Sequence, residues 1–221
     1  MMDASSIFAG EGLACLRGER LVFARLDFQV EAGEALVLVG PNGSGKSSLL
    51  RLMAGLLAPM DGRLVWNGAP VADDREAHAA RCHYVGHHDA IKPVLTVREN
   101  LAFWARLHGD DHRAEVAVAE ALDAFGLIHL ADLPGKLLSA GQKRRLNLGR
   151  LLAAPAPLWL LDEPITALDR ASIKGLEAVM AGHLGRGGMV ILSTHADIDL
   201  PTARLLALDG FKPRPVALEA W

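Results

Sequence analysis

Short aliphatic runs, closed by glycine, asparagine or an acid, alternate along the chain with longer stretches of helical period. The run at 35–39 is uninterrupted and apolar, as in a strand buried on both faces, and leads through a glycine turn into a helix from Ser48. Ahead of it, 21–23 and 26–30 read as the strands of a short hairpin, and 31–34 turns the chain into the next strand. Behind it, 61–68 reads as a strand between turns, and 84–86 as a buried strand end before the polar His87, His88 and Asp89. From Thr96 to Ala153 helical period dominates. Asn100, Leu101, Phe103, Trp104 and Leu107 are spaced for one face, and Val116, Ala119, Leu122 and Phe125 for another. Strands return at 158–161, 189–192 and 205–208, with a helix over 173–180 between the first two. Strand alternating with helix predicts a parallel α/β core with an antiparallel edge, whose ligand sits at the carboxyl ends of its strands. The stretch 89–138 reads as a helical insertion into a core made of 1–88 and 139–221.

At 221 residues the chain is long enough to bury a core without disulfide or metal support. Its 51% hydrophobic and 22% charged residues indicate a globular protein, and no stretch reaches the ~18 uninterrupted apolar residues of a membrane span. The first ten residues show no basic region followed by an apolar block, so the expectation is a chain kept in the cytosol, without insertion into a bilayer. Cys15 and Cys82 have no metal-binding spacing and read as free thiols. A net charge of −3, with Lys143, Arg144 and Arg145 as the one basic cluster, gives no footprint for nucleic acid.

Chemistry concentrates first in Gly40-Pro41-Asn42-Gly43-Ser44-Gly45-Lys46-Ser47, followed by Ser48. A G-x-x-x-x-G-K-S pattern between a strand and a helix turns backbone N–H groups and the positive helix end toward one point, which suits a phosphate chain. Lys46 is the candidate for the β- and γ-phosphates, and the Ser47 hydroxyl for Mg²⁺. A second concentration is the apolar strand that ends in Asp162 and Glu163. Buried carboxylates there require a positive partner, which Mg²⁺ held in part by Asp162 would supply, leaving Glu163 to polarise an attacking water. Ser139 occupies a helix N-cap position, and with Gly141 and Gln142 it forms a further candidate anion site.

The phosphate loop, the Leu138-Ser139-Ala140-Gly141-Gln142 segment, Leu160-Leu161-Asp162-Glu163-Pro164, Ala167-Leu168-Asp169 and Ser193-Thr194-His195 together resemble the ATP-binding cassette proteins over nearly the whole chain. The resemblance implies a P-loop NTPase fold of that type, with a RecA-like core and an inserted helical subdomain. It implies an ATPase using ATP and Mg²⁺, and a head-to-tail dimer in which Ser139, Gly141 and Gln142 of one copy close on the ATP of the other. His195 would touch the γ-phosphate and Asp169 would lie in a dimer-contacting loop. The family usually carries glutamine where His87 stands, and an aromatic near Arg17 to stack on adenine. Arg17 is placed to stack through its guanidinium or to stand solvated.

His87, the segment 91–101, Ala140 within the signature and the lack of a C-terminal extension make the chain similar to the haem exporter ATP-binding subunits of bacterial cytochrome c maturation. That implies integral membrane subunits as partners and a peripheral place on the cytoplasmic face of the inner membrane. Alternatives are the ATPase subunit of another importer or exporter, and a soluble cassette protein. Soluble members usually carry two cassettes or long basic insertions. Cys82, His83, His87 and His88 contain no C-x-x-C-H pattern and are not read as a haem site.

Overall fold

The uninterrupted run at 35–39 forms β3 (Ala35–Val39) within a five-stranded parallel sheet, in the computed structural model, which describes residues 5–108, 111–196, 198–200 and 203–212. The sheet order is β6 (Cys82–Val85), β7 (Leu158–Asp162), β8 (Met189–Ser193), β3 and β9 (Ala203–Ala207). Alternating side chains feed two cores, which is why these strands read as continuous apolar runs. Ala35, Val37, Trp159, Leu161, Val190 and Leu192 face the helical side. Leu36, Leu38, Leu158, Leu160, Met189 and Ile191 face α1 (Lys46–Met53) and a second sheet.

The second sheet is four-stranded and antiparallel, ordered β2 (Arg20–Glu31), β1 (Ile7–Arg17), β4 (Asp61–Trp66) and β5 (Ala69–Pro70). It corrects the expected hairpin of 21–23 with 26–30. Those residues are one strand, and its partner is β1, which the sequence pattern did not announce. Arg25, with φ 54°, breaks the alternation as a bulge does, so an interruption that reads as a turn is a kink within β2. The β1 register also shifts between Gly10 and Leu13 and again before Cys15, which scrambles its period.

The helical side contains α3 (Val97–His108), α4 (Asp111–Ala124), α5 (Ala140–Ala153) and α6 (Arg170–Gly185); α2 (Arg75–Arg81) precedes β6 and was not foreseen. The helices lie where the period placed them, and Asn100, Leu101, Leu122 and Phe125 of the expected faces are buried, but the rest of those faces differ. Val97, Leu101 and Ala105 of α3 and Ala114, Val118, Ala121 and Leu122 of α4 are buried, whereas Phe103, Leu107 and Val116 are 40%, 59% and 60% exposed. Small residues set this phase: alanines on α3 and α4 let the helices approach, and Gly149 of α5 admits Leu101, whose Cδ2 would lie 3.0 Å from an added Cβ. The larger side chains are thereby turned outward.

Candidate functional site

β3, β6, β7 and β8 are parallel, so the loops and side chains at their carboxyl ends gather on one edge of the sheet. The phosphate loop leaves β3 there. Gly45, the N-cap of α1, has φ 107°, and a Cβ on it would meet Val22 at 2.7 Å, so only glycine closes this turn against β2. No side chain caps the N-terminus of α1, whereas Asp74, Ser139 and Asp169 cap α2, α5 and α6. The amides of that first turn are free for an anion.

Lys46 is buried, and its ammonium donates to the carbonyl oxygens of Gly40 at 2.7 Å and Pro41 at 3.3 Å. Among the described residues its charge meets carbonyls and no carboxylate. Ser44 Oγ is buried without a hydrogen-bond partner. A buried hydroxyl and an ammonium facing a bare loop suit an anionic ligand. The cavity over this loop measures about 300 Å³ and is lined by Arg17, Arg20, Asn42, Gly43, Lys46, Ser47, Ser48 and Glu163 among others. Arg17 therefore lines this cavity from the β1–β2 turn, joined by Arg20, which the sequence pattern does not single out.

Asp162 ends β7, 2% exposed, and accepts from Ser47 Oγ at 2.9 Å and from Ser193 Oγ at 2.8 Å. An acid and a hydroxyl from separate motifs thus share one point, the donor chemistry a Mg²⁺ ion takes. Glu163 follows in a left-handed backbone conformation, φ 48°, with its N–H on Ser193 at 3.2 Å to the carbonyl and 3.0 Å to Oγ. Its Oε1 lies 3.4 Å from His195 Nε2. That same nitrogen is 2.9 Å from Asn42 Oδ1 and 3.3 Å from Lys46 Nζ. Protonated on Nε2, the imidazole donates to Asn42, and it stands between the phosphate loop and Glu163.

Ser139 and Gln142 form a reciprocal capping box at the start of α5, and Ser139 is exposed. Neither they nor Gly141 line the cavity over the phosphate loop. Gly141 packs on the loop before α6, where an added Cβ would come within 2.9 Å of the Ala167 carbonyl; Ala167 itself has φ 64°. Asp169 caps α6 by accepting from the Ser172 amide at 2.8 Å, which holds its carboxyl below the usual range. His87 is exposed, its ring edge-on to His88 at 5.6 Å, outside the residues that line the cavity. Cys82 packs toward His78, Sγ to Nε2 3.5 Å, while His83 turns to the opposite face and bonds the Ala154 carbonyl. Burial pushes the Cys82 thiol up to about 12.

The basic triplet reads differently in three dimensions. Arg144 is 4% exposed. Its guanidinium donates to the carbonyls of Asp162 at 3.0 Å, Glu163 at 2.8 Å, Pro164 at 3.1 Å and Gly86 at 3.0 Å, and it pairs with Asp89 at 3.5 Å. Nothing in a run of adjacent basic residues distinguishes the one that is buried.

A phosphate loop on β3, an acid pair closing β7 and a histidine after β8 define a P-loop nucleotide-hydrolysing site. The ABC transporter family model matches residues 23–166, and the chain belongs to that family as an ABC-type ATPase. A protein of Paramagnetospirillum magneticum described as "Cytochrome c biogenesis ATP-binding export protein CcmA" is 66% identical over 94% of this chain and 96% of its own. A protein of Rhodospirillum rubrum with the same description is 64% identical over 96% of this chain and 90% of its own. A solved "ATP binding subunit of ABC transporter" shares the fold with TM-score 0.78 and 27% identity, over 86% of this chain and 79% of that one. A Pyrococcus furiosus ABC transporter protein, 22% identical, superposes with TM-score 0.80 over 94% of this chain and 100% of its own, a likeness of fold alone.

Proposed function

We propose that the chain is the ATP-hydrolysing subunit of an export system for cytochrome c biogenesis, with haem as the cargo the resemblance implies. The observation that carries the reading is the 66% identity to such a protein over 94% of the chain. The convergence of Lys46, Ser47, Asp162, Glu163 and His195 supports catalytic competence.

In this reading Gly40, Pro41, Asn42, Gly43, Ser44, Gly45 and Ser48 cradle the phosphates with Lys46. Ser47 and Asp162 hold Mg²⁺, which when bound neutralises charge on the phosphate oxygens. Glu163 orients and polarises the water, and His195, 3.4 Å from it, reaches the γ-phosphate. Ser139, Gly141 and Gln142 face the nucleotide of a second copy, and Asp169 sits in the contact between copies. Their position outside the chain's own cavity, with Ser139 and Asp169 exposed and Gly141 and Gln142 half-buried, agrees with that. His87 senses the γ-phosphate and relays it toward the membrane partner.

We also place a subdomain boundary at 89 and 138 and a membrane-subunit contact on its outer face. There Val94, Phe103 and Leu107 are 80%, 40% and 59% exposed. No helix among the described residues is long and apolar enough to cross a membrane. In this reading attachment to the inner membrane runs through partners. The test is co-purification from detergent extracts of cells with and without the cytochrome c maturation membrane subunits. Membrane association only in their presence is expected. Firm attachment in their absence contradicts the reading.

A further inference from the structure

We propose that Arg144 is a positioning residue for hydrolysis, holding the turn that presents Glu163 and tying it to loop 86–89. The proposal rests on Glu163 polarising the attacking water. Glu163 lies in the left-handed region, φ 48°, which a residue with a Cβ keeps only where neighbouring contacts over-determine it. On one side the constraint comes from Ser193, which accepts the Glu163 N–H. On the other, the Thr166 N–H donates to the Glu163 carbonyl at 3.3 Å, and the side chain that holds the turn is Arg144. Nη2 donates to the carbonyls of Asp162 and Glu163, and Nε to that of Pro164, so successive carbonyls of the turn share one guanidinium.

The remaining arm, Nη1, reaches Gly86 O at 3.0 Å and Asp89 Oδ1 at 3.5 Å. The planar fork therefore bridges the end of β7 to the loop after β6. Arg144 stands on α5, whose first turn carries Gly141 and Gln142. One helix thus presents its N-terminus outward and grips the chain's own catalytic turn. Lysine, a compact cation with donors on one nitrogen, cannot span these acceptors. None of these contacts involves the phosphate loop, so loss of the guanidinium should displace the Glu163 carboxylate while leaving nucleotide binding intact.

The experiment compares Arg144→Lys, Glu163→Gln, the double variant and Asp89→Asn in the full chain, with single-turnover hydrolysis measured per nucleotide-bound subunit. For Arg144→Lys the expected result is a fall in kcat of ~10–100-fold with KM for Mg-ATP within ~3-fold. In the Glu163→Gln background the same change should lower the rate by less than ~2-fold, because Arg144 acts through Glu163. KM rising in step with the loss, or full multiplication in the double variant, would show a purely structural role and overturn the proposal. Should Arg144→Lys fail to fold, Asp89→Asn carries the test. Its side chain is 28% exposed and faces the guanidinium, so kcat should fall ~3–10-fold at unchanged KM, and wild-type kcat overturns the proposal. Wild-type turnover in Glu163→Gln alone would remove the underlying reading of Glu163, an outcome distinct from a silent Arg144.

Discussion

Ser47 Oγ donates to Asp162 Oδ1 across 2.9 Å, joining side chains 115 positions apart in the sequence. The contact exists because β3 and β7 both flank β8 in parallel, which brings the start of α1 and the end of β7 to one edge. The proposed Mg²⁺ site rests on this contact. Ser47→Ala should weaken nucleotide binding in Mg²⁺ by ~10-fold or more and leave binding in EDTA nearly unchanged. Titration with a fluorescent ATP analogue in both buffers measures the difference. Equal loss in both buffers would remove Ser47 from the metal site.

Lys46 is bonded to carbonyls of its own loop, so the fold does not depend on a salt bridge to it. Lys46→Ala should lower ATP affinity by ~10–100-fold with a melting temperature close to the parent's. Calorimetric titration and thermal melting decide this together. Near-parental affinity would exclude the ammonium from the phosphate site.

His183 stacks on Trp159 with centroids 3.7 Å apart and planes 6° from parallel. Burial pushes its imidazole pKa down to about 4 from 6.5. The unfolded chain therefore takes up a proton near pH 6.5 that the folded chain refuses until about pH 4. Stability should fall as pH drops through that window, by up to roughly 3 kcal/mol from this residue, and flatten below it. His183→Gln should be less stable at pH 7, and its deficit should shrink toward pH 4. Urea unfolding across the window reads it, and a constant deficit would contradict the assignment.

Much of this site is legible in the sequence because its motifs carry physical requirements. The glycine spacing of 40–47 answers to backbone geometry, and the runs that became β7 and β8 are apolar throughout because both faces are buried. β1 is illegible because its bulges destroy the period of two. Of the α3 and α4 faces read from the sequence, Asn100, Leu101, Leu122 and Phe125 are buried, but size misleads at Phe103, Leu107 and Val116, where packing selects Ala105, Ala114 and Ala121 for the interior instead. Arg144 escapes notice for a related reason: its role depends on carbonyl oxygens, which every residue possesses.

The central claim is that Glu163 drives hydrolysis within a pair of chains closed over ATP. Static light scattering and ATPase assay of Glu163→Gln in Mg-ATP test it most directly. The account predicts turnover reduced by ~10²–10⁴ and a stable dimer that dissociates when ATP is removed. A monomer at saturating ATP, with turnover at the parental rate, would contradict it.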